Sequence, residues 1–167
     1  GIGALLLRHG VQIEPLLFGG FQQAGVRCGT ECVALAVGFH KALEIWRQEA
    51  DARAARMAQL RVRLETTLRE AMPWVVVNGD HAPRLPHTTN ISFPGLDRQA
   101  LLMALDMAGV CCSTGSACAS GSSEPSHVLS AMGCSKPVVD GSLRISLGAA
   151  TTAADVAQAC ERILKVA

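Results

Sequence analysis

Apolar and polar positions follow two different periods along this chain. Near the start, "GALLLR" (residues 3–8) and "VQIEPLLFGG" (residues 11–20) are short apolar runs bounded by glycine, and they predict strands or a hairpin. From Cys32 to Met72 the spacing becomes helical, with Met57, Leu60, Leu64 and Leu68 on one stripe and an interruption expected near Ala50 to Ala52. Pro73 ends the run, because its ring fixes φ and removes the amide hydrogen. Glu49/Arg53 and Glu65/Arg69, four residues apart, predict a charged face turned to solvent.

Downstream the elements shorten. "WVVVNGD" reads as a strand ending in an Asn-Gly turn, and "TTNISFPG" alternates Ile91 and Phe93 with polar residues as a half-buried strand does. Asp97 is placed to cap a helix through Ala108 that Gly109 closes. "VCC" predicts a short strand, Ser123 or Ser126 a helix start running to Gly133, and "SLRISLG" another alternating strand. Thr152 with Asp155 approximates a capping box for the last helix. The class expected is α+β, a few strands with helices packed on them.

Composition narrows the setting. With 167 residues, 49% of them hydrophobic, the chain can close one substantial core, as one domain or one plus a fragment. A net charge of +1 provides neither a nucleic-acid footprint nor a polybasic membrane contact. The seven cysteines, at 28, 32, 111, 112, 118, 134 and 160, have no CxxC and no zinc-type Cys/His spacing, so no metal is expected. They read as mostly reduced thiols of a cytosolic protein. No apolar run is long enough to span a bilayer, and "GIGALLLRHG" lacks the features of a signal peptide. A first residue that is not methionine fits a piece of something longer.

Three stretches carry candidate chemistry. "STGSACASG" sets Cys118 among serine, threonine, alanine and glycine, with no apolar neighbour to bury it. A thiol must ionise to attack, and hydroxyls or loop amides stabilise a thiolate that an apolar core suppresses. Glycine and serine on both sides also ease backbone motion, so the same cysteine suits a nucleophile and a carrier. The plain alternative is a surface loop that happens to hold a cysteine. "GGFQQAGVRCGT" crowds glycines around Arg27 and ends on Thr30 at an expected helix start, where amides and a hydroxyl can hold a phosphate. Arg144, in the middle of "SLRISLG", offers a guanidinium for bidentate carboxylate recognition, although an exposed strand arginine is usually just solvated.

Taken in order, "GIGAL", "GGFQQAGVRCGT", "TTNISFPG", "STGSACASGSSEPSHVLSAMG" and "SLRISLGAATT" resemble the C-terminal part of cysteine desulfurases of the class V aminotransferase fold, and they span nearly the whole chain. The segment around "GSAC" followed by "EPSHVL" is similar to the long-loop group, whose members supply sulfur for iron–sulfur clusters and tRNA thiolation. The resemblance implies the small C-terminal domain of a fold-type-I enzyme dependent on pyridoxal 5'-phosphate (PLP), over residues 31–167, preceded by the end of the large PLP-binding domain over residues 1–30. Within it, residues 113–123 form the catalytic-cysteine loop.

The same resemblance implies roles. Cys118 is the nucleophile that takes sulfur from L-cysteine as a persulfide and leaves alanine, Arg144 grips the substrate carboxylate, and Thr30 reaches the PLP phosphate of a neighbouring subunit in a homodimer. A sulfur-acceptor protein, either a cluster scaffold or a tRNA-thiolation carrier, is the implied partner. Cys28 departs from the usual serine or alanine, and Ala149 from an arginine often seen after "SLG". Cys111 and Cys112 read as strand packing, Cys32, Cys134 and Cys160 as structural, and His127 as a partly buried or capping residue. The Schiff-base lysine of the family has no counterpart among Lys41, Lys136 and Lys165, so the chain by itself is expected to be inactive. Two other readings stay open: a stand-alone thiol carrier or redox module that uses Cys118 without PLP, and a related lyase acting on selenocysteine.

Overall fold

Helix α1, Val33–Ala71, runs unbroken for 39 residues in a computed structural model that describes residues 1–115 and 125–167. The interruption expected at Ala50 to Ala52 does not occur. From Phe39 to Met72 there is neither glycine nor proline, and alanine has the highest helix propensity, so nothing local breaks the ladder. Pro73 follows the end as expected, with the Met72 N–H closing the last turn on Leu68 O at 2.8 Å.

The backbone divides into two compact units, Gly1–Ala50 and Asp51–Ala167. In the first, no strand forms among the described residues. The two apolar runs predicted as strands or a hairpin are extended or turned backbone, followed by a 3-10 turn at Gln22–Gly25 in which Gln23 and Ala24 have φ of 49° and 58°. A strand persists only where its N–H and C=O groups meet a neighbour, and no described segment pairs with these runs. Their side chains remain in solvent, Leu6 and Leu16 each more than nine-tenths exposed.

The second unit is built on a three-stranded antiparallel sheet in the order β1–β2–β3, formed by Val76–Val77, Thr88–Ser92 and Ser142–Ser146. Helices α2 (Arg98–Met107), α3 (His127–Ala131), α4 (Lys136–Asp140) and α5 (Ala153–Val166) complete it. One face of the sheet supplies Val77, Ile91, Leu143 and Ile145 to a core shared with Leu60, Leu64 and Leu68 of α1, Leu101 and Leu105 of α2, and Val156, Cys160 and Ile163 of α5. The period of two in the strands and the period near four in the helices therefore converge on one apolar layer.

Local chemistry sets the ends. Asp97 accepts from the N–H groups of Gln99 and Ala100, and Thr152 with Asp155 forms a reciprocal capping box. Ser126, of the two serines proposed, caps α3. "VCC" does not become a strand. Only Ser113 joins the sheet, in a single bridge to Arg144.

One expected feature of α1 is reversed. Glu65 is not on a solvated face with Arg69; it is buried, and it accepts from Arg84 at 2.8 and 3.1 Å and from Arg61 at 3.0 and 3.2 Å. Arg69 turns instead to Asp80. The forked contact of Arg84, with Arg61 Nη1 donating to both oxygens, satisfies a buried carboxylate better than one exposed partner four residues on.

Candidate active site

The core-facing alternation leaves the opposite phase of the strands polar. Along that second face run three cross-strand pairs: Ser92 with Ser142, Asn90 with Arg144, and Thr88 with Ser146. Exposure rises along the row. Ser92 and Ser142 are fully buried, Asn90 and Arg144 half-buried, and Ser146 exposed.

Arg144 stands at the centre. Its backbone N–H donates to Ser113 O at 2.7 Å and its carbonyl accepts from Ser113 N–H at 3.0 Å. Both of its backbone groups thus face Ser113, which makes Asn90 and Arg144 a non-hydrogen-bonded pair, the kind that brings opposing side chains closest. The guanidinium also donates from Nη1 to Gly115 O at 3.4 Å. Arg144 therefore holds the first residues of the cysteine-bearing segment through three hydrogen bonds. At the segment's far side, Ser126 Oγ accepts from Leu129 N–H at 3.4 Å. Cys118 itself, with the rest of residues 116–124, lies outside the described residues.

Thr30 belongs to the Gly1–Ala50 unit. It is exposed but does not open a helix, because α1 begins three residues later at Val33. The glycine-rich turn before it has its own partners. Gly29, at a φ of 104° that favours glycine, donates its N–H to Gln22 Oε1 at 3.2 Å, and Arg27 Nη1 donates to the carbonyls of Cys28 and Gly29.

The three lysines are engaged in ion pairs. Lys41 pairs with Glu44, Lys136 with Asp140 and Lys165 with Glu161, each on an exposed helix surface. Among the described residues no group of three His, Cys, Asp or Glu side chains is arranged to hold a metal. None of the described helices is long and apolar enough to cross a membrane.

The thiols separate by environment. Burial, reinforced by Cys111 and Asp106, pushes the Cys112 thiol up to about 11. Burial also raises Cys160, against a hydrogen bond from Thr67 and the charge of Arg63. Both stay protonated at neutral pH and are poor nucleophiles, as expected of packing cysteines. Cys111 and Cys32 are exposed instead of packed, since neither lies in a helix or strand: "VCC" forms no strand and α1 begins only at Val33. His127 is likewise exposed, at the first residue of α3. Asn90 was not singled out from sequence. The signal was its place on the polar phase of β2, but only the register sets it opposite Arg144.

A model of the aminotransferase class-V family matches residues 1–158. A cysteine desulfurase of Nostoc sp. is 47% identical over 166 residues, which is 99% of this chain and 40% of that protein. Among solved structures, a NifS-like protein from Rickettsia africae superposes with a TM-score of 0.77 at 32% identity, over 93% of this chain and 40% of that one. A structure of SspA in complex with cysteine gives a TM-score of 0.52 at 31% identity, over 83% of this chain and 36% of its own. The chain thus spans about 40% of the length of the Nostoc relative.

Proposed function

This chain belongs to the aminotransferase class-V family, and from that premise we propose that it is the cysteine-bearing part of a cysteine desulfurase that takes sulfur from L-cysteine. The 47% identity to a cysteine desulfurase supports the activity, and the cysteine bound in SspA supports the substrate. The observation that carries the reading is the tie between Arg144 and the cysteine-bearing segment. The residue proposed to grip the substrate carboxylate is also bridged to Ser113 and bonded to Gly115, three residues before Cys118. Substrate anchor and nucleophile-bearing segment therefore share one root in the sheet.

On this reading Arg144 fixes the L-cysteine carboxylate through its planar fork. Cys118 then receives the sulfur. A bond forms between Cys118 Sγ and the substrate sulfur while the substrate Cβ–S bond breaks. Cβ keeps the bonding pair and takes a proton, becoming the methyl group of alanine, and the enzyme retains a persulfide. The persulfide passes to a sulfur-acceptor protein, a cluster scaffold or a tRNA-thiolation carrier.

PLP, the cofactor implied by the family, does not fit these residues as a complete site. Thr30 is one exposed hydroxyl for a phosphate, and all three lysines are engaged in surface ion pairs. The PLP anchor belongs, on this reading, to the part of the relatives' length that this chain does not span. Residues 1–30 are then the end of the PLP-binding domain and 31–167 the small domain, in a cytoplasmic homodimer. The exposed leucines and phenylalanines before Val33 support this, since such a surface suits burial against more protein.

The test is a full-length protein rebuilt by placing this chain in the matching 40% of the Nostoc relative. After treatment with L-cysteine, mass spectrometry is expected to find one added sulfur on Cys118, and Cys118→Ser is expected to abolish both persulfide and alanine. Alanine release that survives Cys118→Ser overturns the reading.

A further inference from the structure

Asn78 and Asn90 lie side by side on the polar face, and their amides are locked together. Asn78 Nδ2 donates to Asn90 Oδ1 at 2.6 Å and to Ser92 Oγ at 2.7 Å, while the Asn78 backbone N–H donates to Asn90 O at 2.9 Å. Asn78 and Ser92 are buried, so this arrangement is held by packing as well as by hydrogen bonds. It fixes the Asn90 amide with its oxygen toward Asn78. The Asn90 Nδ2 group faces away from that contact and has no hydrogen-bond partner among the described residues.

Across the sheet, Asn90 is the non-hydrogen-bonded partner of Arg144, so the two side chains leave the same face at the closest spacing a sheet offers. Of the guanidinium nitrogens, Nη1 reaches Gly115 O, and the others have no partner among the described residues. A half-buried cation with free donors thus stands beside a fixed amide with free donors. Toward Ser92 and Ser142 the face is closed, and toward Ser146 it is open. A small anionic group entering from the open end meets both.

We propose that Asn90 is a second anchor for the carboxylate bound at Arg144, donating from Nδ2 to the carboxylate while Asn78 fixes its orientation. The ligand class is an α-carboxylate of amino-acid size. This rests on the reading of Arg144 above and adds a residue to it. A planar carboxylate has more acceptor positions than one guanidinium fills, and a fixed amide beside the fork takes one of them without adding charge.

The test uses the rebuilt full-length protein and two inhibitors. One is 3-mercaptopropionate, which has the carboxylate and thiol of the substrate but no amine. The other is cysteamine, which has the amine and thiol but no carboxylate. Asn90→Asp places a like charge at the anchor and is expected to raise the inhibition constant of 3-mercaptopropionate by about tenfold or more, with that of cysteamine unchanged within about twofold. Asn90→Ala, which adds no charge, is expected to raise the first by about threefold to tenfold and serves if the aspartate variant does not fold. An unchanged 3-mercaptopropionate constant overturns the proposal, and so does an equal rise for both inhibitors, which marks Asn90 as structural. Arg144→Lys separates the two levels. If it weakens 3-mercaptopropionate while the Asn90 variants do not, the proposal fails and the Arg144 reading stands; if it too has no effect, the Arg144 reading fails as well.

Discussion

Gly141 and Phe93 meet backbone to backbone. The Phe93 N–H donates to Gly141 O at 2.8 Å, and a Cβ built on Gly141 would lie 2.2 Å from the Phe93 carbonyl oxygen. The φ of Gly141 is −96°, which any residue adopts, so the demand for glycine here is one of space and not of backbone conformation. The contact ties the end of α4 to the strand end that carries Phe93, whose ring is fully buried.

Gly141→Ala is accordingly expected to destabilise the fold by about 3 kcal/mol, since neither backbone can yield without breaking the Phe93 bond or shifting the ring in the core. Urea unfolding followed by circular dichroism measures it. A loss below about 0.5 kcal/mol, the range of ordinary surface changes, would show that α4 moves freely.

Glu65 sustains the second prediction. Burial by itself would raise its carboxyl, but hydrogen bonds from Arg84 and Arg61 outweigh it and hold the group below the usual carboxylate range. Glu65→Gln keeps the shape and removes the charge, leaving two mostly buried guanidiniums facing a neutral amide. The expected cost is about 2–3 kcal/mol. The lowered carboxyl also fixes a sign. Its stabilisation is fully present above the unfolded value of about 4.3 and is lost as pH falls through the lower folded value. The urea midpoints of wild type and Glu65→Gln should therefore converge in acid; a gap that does not close on acidification counts against the ionised carboxylate as its source.

What could be read from sequence was what neighbours in sequence decide. The caps at Asp97 and Thr152, the stop at Pro73 and the alternation of Leu143 and Ile145 depend on residues within a few positions, and all stand in the structure. Pairing over distance was not readable. Glu65 chooses Arg84, nineteen residues on, over Arg69 on its own helix, because burial rewards a two-pronged guanidinium contact. The runs before Val33 have strand composition but no partner, and composition cannot supply one. At the candidate site the phase of Arg144 was legible, whereas its neighbours Asn90 and Ser113 needed the register. Helix α4 was missed, since five residues give too little periodicity to detect.

Cys112 provides a third test. With its thiol at about 11, only about one molecule in a thousand carries the thiolate at pH 8, against roughly a quarter for an ordinary cysteine. Iodoacetamide at that pH is expected to modify Cys118 well before Cys112 or Cys160, as read by mass spectrometry of timed digests. Equal rates would contradict the assignment of those two as packing thiols. The raised values also predict alkaline instability. The folded state holds the Cys112 proton more tightly than the unfolded chain does, so its contribution is complete below the ordinary cysteine value of about 8.5 and is lost as pH rises through about 11.

The last prediction concerns the chain by itself. Its second unit has a continuous core from Leu60 to Ile163, so residues 51–167 are expected to unfold cooperatively. Catalysis is a different demand. Breaking a Cβ–S bond in this family depends on chemistry that the cofactor supplies, and the protein must hold and orient that cofactor. Here Lys41, Lys136 and Lys165 are tied to acidic partners on helix surfaces, and Thr30 offers a single hydroxyl. One contact of that kind, worth about 1 kcal/mol, does not offset the freedom a small ligand loses on binding. The purified chain mixed with PLP and L-cysteine is therefore expected to bind no stoichiometric PLP after dialysis and to make no alanine beyond a protein-free control. Alanine formed in excess over protein would make the chain an enzyme in its own right, and the assignment of the lysines to surface ion pairs alone would fall with it.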